Sequence, residues 1–176
     1  MGRRILVVGC GNASRRDDGV GLYVLRALMQ RLPVQGEVDE DTAQAEGELP
    51  TREGPASLQL RFEHQLDIVL AAELANVDLF VVIDAHTGAF PEQIRRVSVK
   101  PGYEPSMTSH HLTAETVVGL GQALHGHVPR AMLYSVRGHD FNFGNELTPG
   151  TRAAADQVVE EILDLLGTFA GEAPSP

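Results

Sequence analysis

Two acidic points and a pair of imidazoles stand out in this sequence as groups able to do chemistry. Arg16-Asp17-Asp18-Gly19 places two acids side by side, Asp84 ends the apolar run LFVVID, and Ser109-His110-His111 precedes a predicted helix. Carboxylate and imidazole are ligands that divalent metals of hard to intermediate character favour. A metal held by two carboxylates and one imidazole keeps open positions. There it could polarise a carbonyl and lower the pKa of a bound water. One carboxylate could instead act as a general base. Each group also has a plainer reading. Asp17 and Asp18 can cap a helix and complement its dipole, and Asp84 can simply end a strand. His86 follows Asp84 closely and is a further ligand candidate or a supporting one. His125 and His127 flank Gly126 at a predicted helix end, where they complement the dipole.

Two other chemistries are weaker. Cys10 could serve as a nucleophile with His111 as base, but a cysteine between two glycines at a strand end more often packs. Gly9-Cys10-Gly11 after a strand invites a dinucleotide reading, yet the pattern needs glycine where Ser14 stands. Asp17 and Asp18 would also repel a pyrophosphate at the following helix start. No nucleotide is expected.

The elements that must position these residues are legible from apolar spacing. Residues 4–9 (RILVVG) and 79–84 (LFVVID) read as buried strands of a parallel sheet. Val20, Val24, Leu25, Leu28 and Leu32 fall on one helical face, predicting a helix from about Asp18 to Leu32 that Pro33 stops. Leu58, Leu60 and Phe62 alternate with polar residues as in a strand. Residues 66–75 predict a helix and residues 94–99 a third strand. A loop over 100–112 follows, then a helix from the N-cap Thr113 to about Leu124. Residues 131–136 predict another strand. Thr148-Pro149 opens the last helix, with Ala155, Val158, Val159, Ile162 and Leu166 inward. Alternating strands and helices predict an α/β fold in three layers: a mostly parallel twisted sheet of about five strands with helices on both faces. In such folds ligands bind at the carboxyl ends of strands, which points to Gly9–Asp18 and Asp84–Gly88.

The bulk properties narrow the partners. A chain of 176 residues predicts a single domain, here 1–169, with 170–176 as a disordered tail. The net charge of −10 and the absence of Trp oppose binding to nucleic acid or anionic lipid. One cysteine permits no intrachain disulfide, and no apolar run is long enough to span a bilayer. The expectation is a cytoplasmic protein, monomeric or weakly oligomeric. Between Gly36 and Gly54 stand Glu37, Asp39, Glu40, Asp41, Glu46, Glu48 and Glu53 against Arg52 alone. This segment reads as a solvated loop, with a docking surface for a basic partner as the alternative.

The order of motifs resembles one family. Gly9-Cys10-Gly11-Asn12 followed by Asp17-Asp18-Gly19-Val20-Gly21 is similar to the N-terminal signature of the nickel–iron hydrogenase maturation proteases. Three further stretches match in order. They are His64-Gln65-Leu66 with the run to Asp84-Ala85, then Ser109-His110-His111 before a helix, then Gly126–Pro129 followed by a strand and Glu146-Leu147-Thr148-Pro149. The resemblance spans the chain except the acidic segment and the tail. It implies an endopeptidase that removes a short C-terminal extension from a hydrogenase large-subunit precursor after nickel insertion. The nickel would arrive with that precursor as the recognition signal. The resemblance places the two acids and the histidine on Asp18, Asp84 and His111, with Asp17 and His110 as the alternatives. One departure stands out: residues 62–67 read FEHQLD where many members carry a glycine-rich segment. The alternative function is a non-catalytic nickel-binding or chaperone protein using the same residues.

Overall fold

The computed structural model describes residues 2–40, 43–102 and 112–172. Strand β1 (Arg4–Cys10) leads through a 3-10 turn (Arg16–Gly19) into helix α1 (Val20–Met29). Three strands follow: β2 (Val34–Val38), β3 (Ala43–Leu49) and β4 (Ala56–Glu63). Then come α2 (Ile68–Glu73), extended by a second 3-10 turn (Leu74–Asn76), β5 (Leu79–His86), β6 (Ile94–Ser98), α3 (Ala114–His125), β7 (Arg130–Arg137) and α4 (Pro149–Gly171).

The seven strands form one sheet in the order β2-β3-β4-β1-β5-β7-β6. The four central strands are parallel, β4 with β1, β1 with β5 and β5 with β7. The remaining pairings, β2 with β3, β3 with β4 and β6 with β7, are antiparallel. The expected three-layer α/β architecture is therefore present, but the sheet is mixed and has seven strands rather than about five. The difference lies in β2 and β3, which take up much of the segment 36–54 expected to be a solvated loop. Ala45 pairs with Leu60 and Gly47 with Leu58, so the acidic segment is hydrogen-bonded into the sheet through the β4 edge.

Both faces of the central strands are covered, which is why they read as unbroken apolar runs. Ile5, Val7, Val81 and Ile83 pack under α1 and α4; Leu6, Val8, Cys10, Phe80 and Val82 pack under α2 and α3. β4 alternates because only one of its faces is fully covered: Ala56, Leu58, Leu60 and Phe62 are buried there. Helix starts follow local chemistry. The Asp67 carboxylate accepts from the amides of Val69 and Leu70 at 2.8 and 3.3 Å, and the Thr113 hydroxyl accepts from the amide of Thr116 at 3.2 Å. Gly126, at φ 68°, closes α3 as a left-handed C-terminal residue.

Some expected boundaries move. The first helix begins at Val20, after the 3-10 turn, and ends at Met29. Arg31 and Leu32 then turn tightly back, both amides donating to the Leu28 carbonyl at 3.0 and 2.9 Å. The predicted helix over 66–75 is a six-residue helix followed by 3-10 geometry. The last helix continues to Gly171, into the start of the expected tail, and residues 173–176 lie outside the described residues. Among the described residues, no helix is long and apolar enough to cross a membrane.

Candidate functional site

The glycines of the N-terminal signature set the geometry of the turn that carries Asp17 and Asp18. A Cβ on Gly9 would sit 2.7 Å from the Gly21 carbonyl oxygen, and one on Gly21 would sit 2.8 Å from the Cys10 amide nitrogen. Helix α1 therefore lies directly on the end of β1, backbone against backbone. Gly11 has φ 135°, and a Cβ there would fall 2.0 Å from the Asp18 carbonyl oxygen. Gly11→Ala combines that collision with a disfavoured φ. We expect it to lower stability by at least about 2 kcal/mol, read as a lower urea midpoint, and to displace Asp18.

The two adjacent acids do different things. Asp17 is wholly buried. Its carboxylate accepts from the amides of His139, Asp140 and Thr148 at 2.7, 3.1 and 2.7 Å, and from the hydroxyls of Thr148 and Thr151 at 2.8 and 3.0 Å. Four of these donors belong to the segment joining β7 to α4, and the fifth, the Thr151 hydroxyl, to the first turn of α4. Thr148 does not cap α4 with its own hydroxyl; Asp17 takes that hydroxyl instead. Burial pushes the Asp17 carboxyl up, but the amides of His139 and Thr148 and the Thr148 hydroxyl outweigh it, and the group is held below its ordinary value. Asp18 is half-buried. One oxygen accepts from the Asn12 amide at 3.1 Å. The loop after β1, where a nucleotide-binding fold would hold a phosphate, thus holds a carboxylate that accepts from one backbone amide.

Strand register brings further groups level with Asp18. Cys10 pairs with Glu63, Gly9 with Ile83 and Asp84 with Ser135. Glu63, Cys10, Asp84 and Ser135 therefore form a row across β4, β1, β5 and β7. The row lies on the α2–α3 face at the carboxyl ends of the strands. The turn bearing Asp18 packs against β5. Asp84 is half-buried, and its Oδ1 accepts from the Ala85 amide at 2.7 Å. The Cys10 thiol reports the crowding: burial, then the charges of Asp84, Glu63 and Asp18, push it well above its ordinary value. A thiol held protonated and 5% exposed is a poor nucleophile, so Cys10 packs rather than reacts.

Glu63 is not among the residues that the sequence motifs single out: within FEHQLD the matching residues are His64-Gln65-Leu66, and the segment as a whole departs from a glycine-rich pattern. Its burial pushes the carboxyl up, opposed by the Arg61 cation and reinforced by Asp67 and Glu73. Arg61 lies 3.1 Å from Glu63 and 2.9 Å from Glu73. The signal available in sequence was positional: Glu63 ends an alternating strand, as Asp84 ends an apolar one.

His86 is not presented as a ligand. Its Nδ1 accepts from the Gly88 amide at 3.2 Å, so the proton resides on Nε2, which donates to the Glu92 carbonyl at 3.1 Å. Phe90 packs edge-on against the ring at 5.6 Å. His86 thus ties down the turn between β5 and β6. Burial lowers its pKa from the ordinary 6.5, with the Glu92 carbonyl opposing and the Arg137 charge assisting. Below 6.5 the unfolded chain takes up a proton that the folded chain resists, so stability falls as pH falls through that window. Melting at about pH 7.5 and about pH 5.5 should show a loss that His86→Asn reduces.

His110 and His111 lie outside the described residues. Leu112, which follows them, packs against the cluster that contains Cys10. Among the described residues, no three His, Cys, Asp or Glu side chains are grouped so as to hold a metal ion. Asp18 and Asp84 are carboxylates at one rim; a metal-binding set would need a donor beyond the described residues. What the described groups provide is a rim of half-buried carboxylates, Asp18, Glu63 and Asp84. It can accept protons from a bound water and favours a cation over an anion.

No family model matches the chain, and no curated protein matches it either. Solved structures do. The hydrogenase maturating endopeptidase HybD of E. coli superposes with TM-score 0.65 at 18% identity, covering 94% of this chain and 93% of that one. An endopeptidase of Escherichia coli gives 0.61 at 18% identity over 96% and 95%. The [NiFe] hydrogenase maturation protease HycI of Thermococcus kodakarensis gives 0.60 at 18% identity over 93% and 92%. At such identity the shared property is the fold, and it is shared end to end: the chain has the fold of the hydrogenase maturation proteases.

Proposed function

We propose that the chain is an endopeptidase that removes the C-terminal extension of a nickel–iron hydrogenase large-subunit precursor after nickel insertion. The observation that carries this reading is the coincidence of that fold, along nearly all of both chains, with Asp18 and Asp84 at one rim of the sheet. In this reading Asp18, Asp84 and His111 offer the ligands that meet the nickel, which belongs to the substrate. Hydrolysis needs a water to add to the scissile carbonyl carbon while a base takes its proton. The proton then passes to the leaving amine as the C–N bond breaks. A rim carboxylate is suited to the base role, and Asp17 is not, because its lone pairs are filled by five donors.

The test is to co-produce the chain with a hydrogenase large-subunit precursor, with and without nickel in the medium, and measure the precursor's intact mass. A C-terminal loss that needs both the chain and nickel is expected. Nickel binding by the chain with no shortening of the precursor would favour the non-catalytic assembly reading instead.

A further inference from the structure

Away from the acidic row, on the α1–α4 face, lies a cavity of about 480 Å³. It is bounded by α1, the chain after β2 and the segment leading into α4. Three guanidinium groups, Arg16, Arg26 and Arg152, line it in a chain of net charge −10. They are not equally engaged. Arg16 lies 3.4 Å from the Asp140 carboxylate, and its Nε donates to the Phe143 carbonyl at 3.4 Å. Arg26 donates only its Nε, to the Val38 carbonyl at 3.2 Å. Arg152 stands 6.0 Å over the Tyr23 ring. Among the described residues, neither Arg26 nor Arg152 has a carboxylate at ion-pair distance. Glu40 and Glu146 also line the cavity, and the Ser14 hydroxyl lies 3.4 Å from Glu40.

The remaining walls are apolar or small. Ala13, Tyr23 and Ala27 contribute the half-exposed apolar surface, while Leu22, Leu147 and Gly19 are buried behind it. Gly19 is the residue after Asp18, so the cavity backs onto the turn that carries the rim carboxylate. On the segment that forms the outer wall, Phe143 is 89% exposed. That aromatic is not on a loose loop: the Arg16 amide donates to the Gly144 carbonyl at 2.8 Å and the Gly144 amide to the Ser14 carbonyl at 3.0 Å. A solvent-facing aromatic on a backbone segment tied to Arg16, next to a cavity that also holds Arg26 and Arg152, has the composition of a protein-binding anchor.

We propose that this cavity docks a carboxylate-bearing peptide segment of the partner protein. The acid side chain pairs with Arg26 and Arg152, and an aliphatic neighbour packs on Tyr23, Ala27 and Phe143. The identification of the partner as the precursor substrate rests on the function proposed above; the peptide chemistry does not. Arginine is suited to this role because its planar fork grips a carboxylate by two parallel hydrogen bonds.

The test uses a capped peptide of alternating glutamate and leucine, with lysine replacing glutamate as the control, titrated into the full chain at low ionic strength by NMR. Saturable shifts at residues around Leu22 and Leu147 are expected with the acidic peptide and not with the basic one. Arg26→Gln with Arg152→Gln should weaken binding about tenfold or more without lowering the melting temperature. Phe143→Ser should weaken it independently. No acidic-peptide binding, or equal binding by the double variant, overturns the proposal. With precursor as substrate, the double variant should raise KM about tenfold. If the wild-type chain cleaves no precursor yet binds the acidic peptide through these arginines, the functional reading falls and the docking site stands.

Discussion

Asp17→Asn lowers stability by about 3–5 kcal/mol, the scale of losing charge-assisted hydrogen bonds and leaving more than one buried donor unpaired. In a chain of this size that is a fall in melting temperature of roughly 10 °C. Asp18→Asn, one residue on, changes it little. The asymmetry follows from what the two carboxylates touch. Asp17 is fully buried and receives five donors from residues 139–151, so asparagine would turn an NH2 group toward amides and hydroxyls that also donate. Asp18 is half-buried and accepts from the Asn12 amide. The acid side of the stability profile gives a second readout. The Asp17 carboxyl is held below its ordinary value of 3.8. Its contribution is therefore complete above that value and is lost as pH falls below it, through the lower folded value. Thermal melts of wild type and Asp17→Asn should converge toward low pH. Equal melting temperatures at neutral pH would contradict the clamp.

That clamp is the part of the site least visible in the sequence. Asp17-Asp18 reads as a pair of equivalent acids, because what separates them is contributed by a segment more than a hundred residues later. The central strands were legible for a simple reason: burial on both faces leaves RILVVG and LFVVID continuously apolar. Strands β2 and β3 were not. Glu46 and Glu48 alternate there with Ala45, Gly47 and Leu49, a composition poor in β-branched residues. They are strands because β4 offers an edge to pair with, so tertiary context overrides weak local preference. The end of α1 shows the opposite error. Leu32 keeps helical spacing and packs against the α1–α4 core, but it does so from a tight turn.

Of the three groups proposed to meet the substrate, Asp18 and Asp84 stand at the carboxyl ends of β1 and β5, where open α/β sheets bind ligands. Glu63 joins them through the Cys10 register, and that neighbour was hidden because strand order cannot be read from a strand alone. His111 lies outside the described residues, so the acids carry the testable part of the site. Each is half-buried and each raises the Cys10 thiol by its charge. Under the proposed function, neutralising either one removes a proton acceptor or metal ligand while leaving its size unchanged. The expected loss of precursor cleavage is about 100-fold or more for each, the scale of a general base, with melting temperatures close to wild type.

The most direct measurement is therefore the intact mass of a nickel-loaded large-subunit precursor, followed over time with wild type, Asp18→Asn and Asp84→Asn. A C-terminal shortening with wild type that nearly vanishes in both folded variants is the expected result. Cleavage at the wild-type rate by both variants, or a full-length precursor after incubation with wild type, would contradict it.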